Sequence, residues 1–173
     1  NTERVNLFVS HLLLDGKTWY EKYFNAKFSP RIIDPKVYKN YIILYNESLD
    51  RLVNPDFKDT ISIDDCEYII GKRLGDDIRL IYINANNFVD FFNLVLKLFN
   101  NDYKQFNHFI KQWAERFLKE TIFNGNSFLM NDYYRIDINK LEYDGKIQIE
   151  EVQKGGTSKM GKKTLFYTSN YLI

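Results

Sequence analysis

The chain has 173 residues and balances 24 Lys and Arg against 23 Asp and Glu, so it is about one domain long and has no overall field drawing it to nucleic acid or acidic lipid. Hydrophobic residues at 45 % and aromatics at 17 % exclude a disordered chain. One cysteine and two histidines exclude an internal disulfide and a zinc finger, and point to a reducing, intracellular compartment.

Val5, Phe8, Val9, Leu12 and Leu13 recur at helical spacing after Thr2, which predicts a first helix ended by Gly16. The next segment sets Trp19, Tyr20, Tyr23 and Phe24 close together, and Pro30 and Pro35 forbid a long regular element there, so a short helix followed by a loop is expected. Asp34-Pro35 then opens a helix with Val37, Tyr41, Leu44, Tyr45, Leu49 and Leu52 along one face, ending before Asn54-Pro55.

Thr60 to Ile63 alternates like a short strand, Asp64 with Glu67 resembles a capping box starting a helix toward Gly71, and Ile78 to Ile83 reads as a buried strand. Two stronger helices follow. Phe88, Phe91, Phe92, Val95, Leu96 and Phe99 line the first, with Asn87 as its cap. Phe106, Phe109, Ile110, Trp113 and Phe117 line the second, from about 102 to 121, with Lys111, Glu115 and Lys119 facing water. After Asn124-Gly125 the period falls to two: 128–138, 141–151 and 164–171 read as strands, with Asp144-Gly145 as a hairpin turn. The expected architecture is a single α+β domain over 1–173. A helix-rich part, 1–124, packs on a mostly antiparallel sheet that ends in a C-terminal β-meander, 125–173.

No stretch reaches the roughly 20 apolar residues that span a bilayer, so no membrane association is expected. The chain begins at Asn1 without a methionine or a signal pattern, as an excised or processed piece would.

Few constellations offer chemistry. Gly156 to Thr164 falls one residue short of the phosphate-loop pattern, since Lys163 stands where a hydroxyl residue holds magnesium and too little chain follows for the required helix. Lys154, Lys159, Lys162 and Lys163 on this loop, near Tyr167 and Tyr171, are candidates for nucleic-acid or anion binding, against the plainer reading of a solvated hairpin loop. Cys66 sits near a helix start but among Asp64, Asp65 and Glu67, which disfavour a thiolate, and a Cys-His hydrolase would need His11 or His108 beside it. Paired acids such as Asp64-Asp65 and Asp76-Asp77 read as turn and cap residues. No cofactor or metal site is expected. Trp19, Tyr20, Tyr23 and Phe24, beside Lys17, Lys22 and Lys27, are candidates for partner binding. The competing reading is a hydrophobic plug folded onto the helical layer.

Asn, Ile, Lys, Phe and Tyr together make up 80 residues, against 3 Ala, which first reports an A/T-rich genome. The stretch Leu12-Leu-Leu-Asp-Gly-Lys-Thr-Trp-Tyr-Glu-Lys-Tyr-Phe24 and this skew resemble uncharacterised proteins of giant amoeba-infecting DNA viruses. That resemblance implies a viral protein in the virion or the host cytoplasm and carries over no catalytic residue; a firmicute or another A/T-rich source fits the composition equally well. Aromatic excess without a complete catalytic set leads to a non-enzymatic interaction or structural module with a protein partner or a second copy of itself. A nucleic-acid-binding module using loop 154–163 is the alternative.

Overall fold

The computed structural model describes residues 7–30, 32–114, 116–126, 133–137 and 164–168. Nine helical segments make up most of it: α1 Leu7–Asp15, α2 Trp19–Phe24, α3 Pro35–Val53, α4 Pro55–Asp59, α5 Ile63–Ile70, α6 Asp76–Asn84, α7 Phe88–Leu98, α8 Tyr103–Ala114 and a single-turn π-helix, Leu118–Ile122.

This corrects the expected α+β architecture: the fold is helical, not a helical layer on a mostly antiparallel sheet. Extended pairing among the described residues is limited to β1 Lys27–Ser29, β2 Tyr133–Asp137 and β3 Thr164–Thr168. β1 pairs antiparallel with β2, and β2 with β3, over three and five residue pairs. The rest of the expected meander, including the turn at Asp144-Gly145, lies outside the described residues.

Neither of the two strands expected before α7 forms, for identifiable reasons. Ile78 to Ile83 carries five apolar residues in six, which reads as a buried run. In α6, however, Ile78, Ile81, Tyr82 and Ala85 turn inward at i, i+3, i+4 and i+7 while Leu80 and Ile83 stay in solvent. The alternation at Thr60 to Ile63 is a junction between helices. Thr60 closes α4, and Ser62 caps α5 in a reciprocal pair with Asp65, two residues before the expected Asp64 and Glu67 box.

The other helices form where their apolar phase and caps predict. Asp34 accepts from the Lys36 and Val37 amides with Pro35 at the first turn, which starts α3. Its buried face is Tyr45, Ser48 and Leu52, whereas Val37 and Leu44, expected on the inner stripe, are exposed. α1 ends at Gly16, whose φ of +64° and close neighbour Val53, 2.9 Å from where a Cβ would stand, leave room for no side chain.

α7 is central, packed by α1, α3, α6 and α8. Phe88, Phe91, Phe92, Phe106, Trp113, Phe117 and Phe123 are fully buried. Among them Phe88, Phe91, Phe92, Trp113 and Phe117 meet edge-on or tilted, as at Trp113 and Phe92 (5.4 Å, 89°) or Trp113 and Phe117 (4.9 Å, 74°), so the quadrupoles complement one another while each ring contributes about 1.5–3 kcal/mol by burial. The buried Trp113 indole Nε1 has no hydrogen-bond partner among the described residues, and the ring packs against Phe91, Phe92, Phe109 and Phe117.

Polar side chains close the helix ends around this core. Asn93 donates to the Leu14 carbonyl (2.7 Å) at the end of α1, and Arg51 to the Ile122 carbonyl (2.7 Å) of the π-helix. Buried Lys58 donates to the Ala85 carbonyl (2.7 Å), placing a cation at the C-terminal end of α6.

Candidate functional site

The aromatic cluster of Trp19, Tyr20, Tyr23 and Phe24 forms the surface helix α2. Thr18 and Glu21 make a complete capping box (2.8 and 3.3 Å), which fixes where this six-residue helix starts, and Asn25 ends it at φ +47°. Four of its six residues are aromatic, and none of the six is buried. The cluster divides. Tyr20 and Phe24 lean on the core as the plug reading expects. Trp19 is half-buried, and Tyr23 is 56 % exposed.

Trp19 organises the surface, with Phe24 at 5.0 Å, Tyr20 at 5.3 Å and Tyr23 at 5.8 Å between ring centroids. His11 meets Tyr23 edge-on at 5.6 Å, and the Lys22 ammonium lies 5.3 Å over the same ring. Asp15, at the end of α1, ties this together by accepting from Lys22 (2.8 Å) and pairing with His11 Nδ1 (2.7 Å). Partial burial opposes the Asp15 charge, but the bonds from Lys22 and His11 outweigh it and hold the carboxyl below its ordinary pKa. The same contact with Asp15 raises that of Lys22. Tyr45 of α3 donates to the second oxygen of Glu21 (3.1 Å), so α2 is anchored from both flanks while its outer rings stay in water.

The roles of His11, Asp15 and Lys22 are missed by reading the aromatics alone. The i, i+4 spacing of His11 and Asp15 on α1 is the signal that would have found the first contact. The remaining contact crosses from α1 to α2 and depends on the turn at Gly16.

The other candidates fall elsewhere. Cys66 is the fourth residue of α5, fully buried, and its thiol donates to Tyr82 Oη (3.4 Å), which in turn donates to the Ile61 carbonyl (2.7 Å). Burial above all pushes this thiol up to about 12, so it is a structural thiol and a poor nucleophile. His11 is held by Asp15 and His108 is exposed on α8, so neither belongs to the hydrogen-bonded chain around Cys66. Lys154, Lys159, Lys162 and Lys163 lie outside the described residues. Among the described residues no group of three His, Cys, Asp or Glu is placed to hold a metal ion, and no helix is long and apolar enough to cross a membrane. No family model, curated protein or solved structure matches the chain.

Proposed function

We propose that the protein is a non-enzymatic interaction module whose α2 surface is buried against a protein partner. The observation that carries this reading is a helix with four aromatic residues in six of which none is buried, although the same chain packs aromatics to full burial in α7 and α8. Rings that remain wet while held in place suit an interface: their position is already paid for, and covering Trp19 and Tyr23 removes large apolar area from water. The Asp15–Lys22 pair and Lys17 supply the polar rim such an anchor needs, and no charge has to be buried unpaired with it.

Light scattering over a concentration series, together with cross-linking from a photoreactive residue at position 23 in extract of the native source, tests this reading. Association with a second copy or with a captured protein is expected, weakened at least tenfold in the Trp19→Ala/Tyr23→Ala variant. A strictly monomeric protein that captures nothing, or a variant that associates as well as the parent, contradicts it.

A further inference from the structure

A second surface, distant in sequence from α2, is built differently. The α5–α6 connection and α8 enclose an open cleft of about 310 Å³. Its loop is fixed at each step. Gly71 ends α5 at φ +69° and its amide and that of Lys72 turn back to the carbonyls of Tyr68 and Glu67. Leu74 is buried, and its amide donates to the Glu67 carboxylate (2.8 Å). Gly75 then starts α6 with no side chain capping it.

Between those anchors Lys72 and Arg73 are exposed at the cleft, and neither makes an ion pair among the described residues. Arg79 of α6 grips both Glu67 and Asp64, Glu67 also lies within electrostatic reach of Arg73, and Asp102 is held by Gln105 and by the first amides of α8; Asp76 and Asp77, in the first turn of α6 after Gly75, do not line the cleft. Among the described residues no carboxylate lines the cleft. Across from the two cations, α8 presents His108 and Gln112, neither of which has a hydrogen-bond partner among the described residues. The floor is apolar, formed by Leu74, Ile78, Phe99 and Phe109.

We propose that this cleft is a binding site for a small organic anion, an oxyanion head of carboxylate or phosphate type joined to an apolar ring or short chain. Arg73 offers a planar fork of donors and Lys72 a point charge to the head, while Gln112 and His108 add neutral or charge-assisted donors from the opposite wall. The apolar body lies on Phe99 and Phe109. The volume sits at the lower end of the range for ligand sites, which limits the body to about one ring. Because the loop is already ordered, little conformational entropy is lost on binding.

Calorimetric titration of the whole chain at low salt decides it, with 3-phenylpropionate and phenyl phosphate as probes, and 3-phenylpropanamide and inorganic phosphate as controls. Saturable binding of at least one aryl anion is expected, with the amide and inorganic phosphate each at least tenfold weaker; the tighter of the two anions identifies the head group. Lys72→Gln/Arg73→Gln, both exposed, should weaken binding at least tenfold with an unchanged melting temperature. Gln112→Glu should do the same by placing a carboxylate in the cleft. Lys36→Gln/Lys39→Gln on α3, equal in charge loss, should stay within twofold. Absence of saturation with either anion, equal binding of inorganic phosphate, or an equal loss in the α3 variant overturns the proposal.

Discussion

α2 and the α7–α8 pair are built from the same kind of residue and put it to opposite use. In α7 and α8 the aromatics fall, together with Val95 and Ile110, at i, i+3, i+4 and i+7, so one face of each helix collects them and the two faces bury each other. In α2 they fall at positions 19, 20, 23 and 24, which at 3.6 residues per turn set Trp19 and Tyr23 along one edge of a single broad face and Tyr20 and Phe24 along the other, on a helix of fewer than two turns. Tyr20 and Phe24 can reach the core while Trp19 and Tyr23 cannot follow them. Aromatic content therefore does not separate core from contact surface in this chain; helical phase and helix length do.

The largest effect that sharpens this contrast lies in the core. Phe91 is fully buried and touches Tyr82, Phe92, Phe109 and Trp113, so Phe91→Ala should lower the unfolding free energy by about 3–5 kcal/mol in urea titration. Trp113→Phe should cost under about 1.5 kcal/mol, because it removes a buried donor without a partner along with the lost ring area. A loss of 4 kcal/mol or more, on the order expected for Trp→Ala, would mean that the indole nitrogen is satisfied.

Acid should separate the two regions without a mutation. Asp15 has a depressed pKa in the folded protein, so its contribution is present above its ordinary value of 3.8 and is lost as the pH falls through the lower folded value. Asp65, Glu67 and Asp102 are depressed as well, through bonds from Ser62, from Arg79 with Leu74, and from Gln105 with Lys104 respectively. Of these Asp102 caps the exposed start of α8, while the buried α7–α8 rings themselves contain no such group. Trp19 fluorescence should therefore change at a higher pH than that of Trp113 on acid titration; coincident transitions would show that α2 has no local anchorage of its own. The smallest effect is at the surface, where Tyr23→Ala should change stability by no more than about 0.5 kcal/mol while still weakening association.

Much of the helical body is legible in the sequence because local signals and burial agree there. Asp34-Pro35 marks the start of α3, Gly16 the end of α1, and the stripes of α7 and α8 match their buried faces. The misreadings occur where a short segment satisfies two periods at once. Ile78 to Ile83 is apolar on nearly every residue, so periodicity alone does not assign it, and the acidic first turn at Asp76 and Asp77 was the better guide. The α2 surface was visible as a cluster but not as a divided one, since its division depends on how α1 and α3 meet it through Asp15 and Tyr45. The cleft was not visible at all. Its cations sit at 72 and 73 and its opposite wall at 99–112, and only the packing of α8 beside the α5–α6 connection brings them together.

Acrylamide quenching of two single-tryptophan proteins, Trp113→Phe and Trp19→Phe, tests the division of aromatics most directly. Trp19 should be quenched several-fold more steeply than Trp113, which is fully buried, and its quenching should fall toward that of Trp113 as the protein associates. Equal, shallow quenching of both in the unassociated protein would place α2 in the core and contradict the account.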